Sequence, residues 1–431
     1  MKKLSKIKSG FFSRQLGIAK LALKTGSSIY KNRDKGIKDQ LKHSIEKYAA
    51  DIADELNVMK GSFMKAGQML SLLGGSFLPE EAHKILKSLE NKSSFLEWEQ
   101  ISKQIPKEWL EQLEVKVEPL AAASLGQVHL FQDQGQDFAM KIQYRGVRKA
   151  IKNDVKALKL FMNALNLLPK EIDLKEVYKE IEEMLTEETD YLHEARNTEK
   201  FEKELTPFPI FKVPKINHQY SNEDIITTEF IKGHSLHDLE SLGLSQQQRD
   251  HLGREFMRLL FLELFVFEEI QTDAHFGNYL LITEPELKWG LLDFGATKVP
   301  SKEFITHYQE LIILLSKRDR DGFIEKLKDM GYISKEKPSD LDLFWEYANI
   351  IGAPFYEEVY DWGKTDLSIQ IYEYIPKIIK SISVGNPPSD SVFIDRKIAG
   401  VYFILQKLKA NFDVNKLLNE VISYKNQEQE K

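Results

Sequence analysis

Three side chains in the second half of the chain have the types and spacing needed to handle a polyphosphate: Asp273, Asn278 and Asp293. Asp273 and Asn278 lie five apart in Thr272-Asp273-Ala274-His275-Phe276-Gly277-Asn278, and Leu291-Leu292-Asp293-Phe294-Gly295 ends the set fifteen residues on. Phosphoryl transfer asks a protein for positioning and charge neutralisation rather than for covalent chemistry. Mg²⁺ is a hard cation that takes oxygen ligands, and a carboxylate with an amide oxygen supplies them beside the phosphates. Asp293 and Asn278 therefore read as Mg²⁺ ligands, and Asp273 as the group that orients or deprotonates an attacking hydroxyl or water. A glycine after an apolar run is also an ordinary strand-end turn, so Asp293-Phe294-Gly295 alone would carry little. The upstream residues decide.

Lys141 ends an apolar stretch, Ala139-Met140-Lys141-Ile142-Gln143. A kinase places there the lysine that holds the α- and β-phosphates, oriented by a glutamate from a neighbouring helix. Glu187-Glu188-Thr189-Asp190-Tyr191-Leu192-His193-Glu194-Ala195 offers that glutamate. On one continuous helix Asp190 and Glu194, four apart, share a face, with Glu188 off to the side. Carboxylates aimed at one pocket repel unless cations neutralise them, and Lys141 and Mg²⁺ are available to do so. Glu182, Glu183 and Glu187 read as a solvated face.

Upstream of Lys141, the segment Pro119–Val128 carries Ala121, Ala122, Ala123, Ser124, Gly126, Gln127 and Val128 where a glycine-rich loop would cover the phosphates with its N–H groups. Alanine lets the backbone approach nearly as closely but resists positive φ, which predicts a stiffer loop. On a kinase-type reading, backbone groups near Glu229 and Ile231, in the Glu229–Gly233 connection, would meet the adenine. Earlier still, Lys65 and Gln68 share a helix face around Gly67, which permits close backbone approach.

The elements that must position these residues follow from the hydrophobic patterning. Residues 1–110 read as helical, with helices over Gln40–Leu56, Ser62–Leu73 and a stretch to Leu89. Val115–Val117, Val128–Phe131 and Phe138–Ile142 read as strands, with a turn at Asp133–Gly135. A long charged helical stretch runs from Val147 to Leu205, divided at Pro169. Val213 and Ile225–Phe230 read as further strands, Ser245–Phe267 as a helix, and Tyr279–Ile282 with Leu287–Leu292 as a strand pair. A helix can begin almost directly after Gly295, with Ser301 as N-cap and Glu303 in its first turn. That leaves little platform for a peptide substrate, and the Ala-Pro-Glu that closes a protein-kinase activation segment is missing.

Bulk composition narrows the class. The chain has 431 residues, 42% hydrophobic and 29% charged, with a net charge of −6 and no cysteine. The acidic balance argues against nucleic acid as a partner. Lack of cysteine removes disulfides, thiolate metal sites and Cys nucleophiles, and agrees with a cytoplasmic setting. No apolar run approaches the roughly 20 residues of a membrane span. Lys2, Lys3, Lys6, Lys8, Arg14, Lys20 and Lys24 precede the first acidic residue, Asp34, with Phe11, Phe12 and Leu16 among them. Residues 1–35 therefore read either as a helix resting on anionic lipid, giving peripheral membrane contact, or as a packed helix with a solvated basic face.

Taken together, these segments resemble the UbiB family of atypical, protein-kinase-like proteins, which includes the mitochondrial ADCK members, over about residues 50–410. Lys65-Ala66-Gly67-Gln68 looks like the family's K-x-G-Q motif, Ala121–Gln127 like its alanine-rich loop and Glu188-Thr189-Asp190 like its E-x-D motif. Lys141, Glu194, Asp273, Asn278 and Asp293 match its nucleotide and metal residues, and Asp395–Gly400 looks like its C-terminal region. The resemblance implies an α+β, protein-kinase-like bilobal fold: an N-terminal helical extension (1–110), an N-lobe (111–232) and a mostly helical C-lobe (233–431). It implies that K-x-G-Q and E-x-D meet over the pocket, with Lys65 gating it, and that ATP or ADP binds with Mg²⁺. The expected activity is ATP hydrolysis or small-molecule phosphorylation for a lipid or quinone-pathway client. A nucleotide-switched pseudokinase that binds lipid or proteins, and a small-molecule kinase of the aminoglycoside or choline type, are the competing readings. Here Gln271-Thr272-Asp273-Ala274-His275-Phe276-Gly277-Asn278 departs from the family's His-Ala-Asp-Pro-His-Pro-Gly-Asn, losing the leading His and both prolines.

Overall fold

A computed structural model describes residues 2–4, 62–73, 94–123, 125–164, 175–333, 337–380 and 389–430. The chain divides into two compact units: residues 1–196 with 215–230, and residues 197–214 with 231–431.

The first unit is built on a four-stranded antiparallel sheet in the order β1 (Ala121–Ala122), β2 (Gly126–Asp133), β3 (Gln136–Gln143), β4 (Ile225–Glu229). Gln134 and Gly135 turn β2 into β3 with positive φ at both residues, 50° and 81°, the two-residue turn whose twist suits a hairpin. Gln127, His129 and Phe131 alternate onto one buried face of β2. The two polar members are tolerated because they bond each other and the backbone. His129 Nδ1–H donates to the Lys116 carbonyl at 2.8 Å, its Nε2 accepts from the Gln127 amide at 2.8 Å, and the Leu96 N–H donates to Gln127 Oε1 at 2.9 Å. Helices α1 (Ser62–Leu73), α2 (Val147–Ala164) and α3 (Lys175–Glu188) pack on one another, with Phe63 edge-on to Phe161. Helix α4 (Tyr191–Glu204) then carries the chain into the second unit.

The second unit is mostly helical. Helix α5 (Gln246–Leu262) starts at a reciprocal cap between Ser245 and Gln248 and runs on into a π-helical turn, Glu263–Phe267. It packs against two late helices, α10 (Ser389–Leu408) and α11 (Val414–Gln429). Between them in sequence lie α6 (Lys302–Ser316), α7 (Arg320–Asp329), α8 (Pro338–Gly352) and α9 (Leu367–Lys380). The strands Phe211–Lys212, Lys288–Leu291, Tyr279–Ile282 and His234–Ser235 form a small sheet in that order. Trp289 anchors it: wholly buried, its indole N–H donates to Leu252 O at 3.0 Å while its ring packs on Phe256 and Tyr279.

Several sequence expectations are met. Ser62–Leu73 is helical, the strand pair at 279–291 forms, and Ser301 caps α6 through a bond to the Phe304 N–H. Others are corrected. Residues 1–110 are not all helical, because Lys2–Leu4 pairs in parallel with Ser94–Leu96. Val115–Val117 is not a strand: Lys116 and Val117 are exposed, and the four-stranded sheet begins at the alanine pair itself. Val213 lies outside the strand at Phe211–Lys212. The helix expected through Glu187–Ala195 breaks at Thr189-Asp190. Gln40–Leu56, the stretch to Leu89 and, apart from residues 2–4, the basic segment 1–35 lie outside the described residues, as does Pro169.

Candidate active site

In the first unit, β3 and α4 bring Lys141 and Glu194 together. Lys141 Nζ lies 2.9 and 3.0 Å from the two oxygens of Glu194, whose side chain is nearly buried. The Tyr191 ring sits 5.2 Å from the same ammonium. A buried carboxylate with a bidentate cation is held in one rotamer, which is what a phosphate-binding lysine needs from its partner.

The break at Thr189-Asp190 explains how Glu194 points inward. Asp190 is not on the helix face of Glu194; it stands just before α4, where its Oδ1 accepts the His193 N–H at 3.0 Å, an N-cap that starts a new helix. Its Oδ2 lies 3.8 Å from Arg148 Nη2. The Gln143 amide donates to Thr189 O at 3.0 Å and so ties this break to the end of β3. Glu188, the last residue of α3, accepts Lys65 Nζ at 2.9 Å, with both side chains about one-fifth exposed. K-x-G-Q and E-x-D thus meet through Lys65 and Glu188. Gly67 is buried in α1; the side chain of Gln68 lies outside the described residues.

The alanine-rich segment is partly strand. Ala121 pairs with Val128 and Ala122 with Gln127, and the Ala123 N–H donates to Gly126 O at 2.9 Å; Ser124 lies outside the described residues. Gly126 is required: a Cβ there would collide with the Ile142 carbonyl. Gln127 is wholly buried, its side chain held in the His129 network. Glu229 ends β4, its N–H donating to Lys215 O at 2.8 Å; Ile231 falls in the second unit, buried against Gly290.

In the second unit Asp273, Asn278 and Asp293 sit on one bonded frame. The Asn278 amide nitrogen donates to Asp273 O at 2.9 Å and to Asp273 Oδ2 at 3.2 Å. Both bonds use the amide nitrogen, so neither engages the amide oxygen. The Leu292 N–H donates to Asn278 O at 3.0 Å, and the Gly295 N–H donates to Asp293 Oδ1 at 3.0 Å. Short antiparallel strands, Ile270–Gln271 and Thr297–Lys298, tie the segment before Asp273 to the segment after Asp293. Phe294 is buried against Phe201, 4.7 Å between ring centres, and its carbonyl accepts the Asn197 amide at 3.1 Å. An amide oxygen and a carboxylate in this frame make a hard-oxygen donor set that fits Mg²⁺. Separately, a surface groove of about 780 Å³ lined by Phe355, Glu358, Lys416, Glu420 and Tyr424 contains none of these residues.

Sequence reasoning missed four residues here. The Gln271 amide donates to Asp273 O at 3.1 Å and to Asp293 O at 3.2 Å, while its oxygen accepts Tyr279 OH at 3.3 Å and Lys397 Nζ at 3.4 Å. Lys397 and Glu263 form a fully buried ion pair, 2.9 Å at its closest, with Glu263 in the π-helical turn. Burial pushes the Glu263 carboxyl up to about 7 despite the lysine beside it. Arg396 Nη2 reaches Asp273 Oδ1 at 2.7 Å. The signal was present in the sequence: Asp395-Arg396-Lys397 is a charged triplet set in the otherwise apolar run Ser391–Leu405. Charges inside an apolar helix need partners.

A strand-rich unit with a lysine–glutamate pair, and a helical unit with this Asp–Asn–Asp frame, define an atypical kinase-like protein. Residues 88–327 match the ABC1 atypical kinase-like domain, and the chain belongs to that family, the UbiB group. It is 31% identical over 384 residues to the mitochondrial atypical kinase COQ8 of Saccharomyces cerevisiae, covering 87% of this chain and 76% of that protein. It is likewise 31% identical to mitochondrial COQ8B of Danio rerio, covering 90% of this chain and 63% of that one. Among solved structures, Rv3197 of Mycobacterium tuberculosis, in its complex with erythromycin, superposes with a TM-score of 0.60 at 25% identity over 89% of this chain and 98% of that one. No helix among the described residues is long and apolar enough to cross a membrane.

Proposed function

We propose that this chain is an ATP- and Mg²⁺-using atypical kinase or ATPase whose client belongs to isoprenoid-quinone or related lipid metabolism. The observation that carries this reading is the bidentate pair of Lys141 with Glu194 at 2.9 and 3.0 Å. In kinases this pair must be assembled for the α- and β-phosphates to be held. Lys141 takes those phosphates, Glu194 orients it, and backbone N–H groups of the Ala121–Val128 segment cover them. Backbone groups near Glu229 and Ile231 meet the adenine. Asp293 and Asn278 hold Mg²⁺, which supplies charge neutralisation along the phosphates when bound. Asp273 orients the acceptor hydroxyl or water: one oxygen already accepts Arg396 and the other Asn278. Kinship with the COQ8 proteins supports the choice of client, and residues 1–35 are the segment to test for peripheral membrane contact.

The Lys65–Glu188 bridge favours a second reading, a nucleotide-driven switch that presents lipid or protein-binding surfaces without turnover. Two measurements on purified protein separate the readings: ADP and ATP binding with and without Mg²⁺, and phosphate release. Asp293→Asn should weaken the Mg²⁺-dependent part of binding about tenfold or more, since one carboxylate ligand is lost. Asp273→Asn should slow phosphate release about 100-fold. Identical metal dependence in wild type and Asp293→Asn would sink the metal assignment. Intact binding with release no faster than in Asp273→Asn would select the switch.

A further inference from the structure

Helix α10 reaches the catalytic loop, and two consecutive residues on it act at different depths. Gly400 lets the helix come close: a Cβ there would stand 2.5 Å from Ala274 Cβ and 3.1 Å from Ala274 O. Lys397 turns inward to Glu263 and Gln271. Arg396, one residue earlier, turns outward, its side chain about one-fifth exposed, and donates from Nη2 to Asp273 Oδ1. A guanidinium carries five N–H donors in a planar fork, and the bond to Asp273 engages one of them. The same carboxylate is bonded through Oδ2 to the amide of Asn278. A phosphoryl group delivered to a nucleophile at Asp273 would therefore come within reach of the guanidinium.

We propose that Arg396 is a catalytic residue that binds the transferred phosphoryl group: Asp273 orients the guanidinium, and its remaining N–H donors meet the phosphoryl oxygens. The proposal rests on the ATP reading above. In the transfer, the bond from the γ-phosphorus to the bridging oxygen breaks and its electron pair leaves on ADP. A bond forms from the acceptor oxygen to the phosphorus, and the acceptor's proton passes to solvent. Charge spreads over the three equatorial oxygens as this happens, and a planar cation hydrogen-bonded to them stabilises that state more than the ground state. Lysine, a point charge on a flexible stem, would do this less well.

The test uses the full chain and a phosphoryl mimic, so it does not require turnover. Binding of ADP with Mg²⁺ is measured with and without aluminium fluoride for wild type, Arg396→Met and Arg396→Lys. Wild type should bind ADP at least about tenfold tighter with the fluoride. Arg396→Met should keep ADP affinity within about twofold, because the adenine and α/β-phosphate contacts lie elsewhere, and should lose the fluoride gain; Arg396→Lys should recover part of it. A gain retained in Arg396→Met, no gain in wild type, or equal loss of ADP and mimic in the variant would each overturn the proposal, the last making Arg396 a structural prop. Failure of wild type to bind Mg²⁺ and ADP at all would instead overturn the ATP reading itself.

Discussion

Gln271 is a small side chain with a large reach. Its amide bonds the carbonyls of Asp273 and Asp293, and its oxygen receives Lys397 from the buried ion pair behind. Replacing the histidine of the family pattern with glutamine thus keeps a donor at this position, and glutamine's two N–H groups serve both carbonyls. The variant Gln271→Leu should cost about 2 kcal/mol, because buried polar groups lose partners and water cannot replace them. Gln271→His, with one donor toward the loop, should fall between. Urea midpoints for the three proteins measure this, and a Gln271→Leu midpoint equal to wild type would refute the keystone role. At this scale the site was largely legible. Asp273, Asn278, Asp293, Lys141 and Glu194 stand in short motifs whose residue types announce charge chemistry. Gln271 did not, since an amide before a loop acquires meaning only when distant segments meet; Arg396 was marked as a charge in an apolar helix, but its partner was not.

Among elements, α10 constrains the loop that carries Asp273 through the close approach at Gly400. Gly400→Val should displace the Ala274 backbone, since even a Cβ would approach Ala274 Cβ to 2.5 Å. The expected cost is about 1–3 kcal/mol, as for overpacking elsewhere. A greater fractional loss of Mg²⁺-dependent ADP binding than of stability would show that the loop, rather than the whole unit, is disturbed; unchanged binding would count against the coupling. The loop has also found a substitute for its missing prolines: Phe276 stacks on the exposed Phe403 of α10 at 5.3 Å and meets His237 edge-on at 5.5 Å. Periodicity revealed the helices and the strand pair that carry the site, because apolar spacing survives without context. It missed the break at Thr189-Asp190, where a side-chain cap overrides a continuous helical pattern, and it misread Val115–Val117, whose alternation has just one buried member, Val115.

For the whole molecule, two buried titratable groups, one in each unit, give the chain opposing pH slopes. His129 in the first unit is held neutral, its pKa lowered chiefly by burial from the ordinary 6.5. The unfolded chain therefore takes up the proton first, and the stability this group contributes above pH 6.5 is lost as pH falls below it. Glu263 in the second unit has its carboxyl raised from 4.5 to about 7. Here the folded chain holds the proton longer, so the contribution present below pH 4.5 fades as pH rises through about 7. A shift of that size corresponds to about 3 kcal/mol. Across pH 4.5 to 8, melting curves of His129→Gln should lose the rising slope, and those of Glu263→Gln should show a shallower falling one, part of which the buried Asp395 carboxyl, raised from 3.8 to about 6, retains. Parallel profiles for wild type and both variants would show that these groups do not set the pH response.

The matched domain stops at residue 327, yet the arginine on Asp273 and the glycine against Ala274 belong to α10, far beyond that boundary. Natural variants at 396, 397 or 400 are accordingly to be scored as changes at the contacts of Asp273, Gln271 and Ala274, not as tolerated changes in a tail. A chimera spliced at the domain edge would inherit Asp273 stripped of its cation.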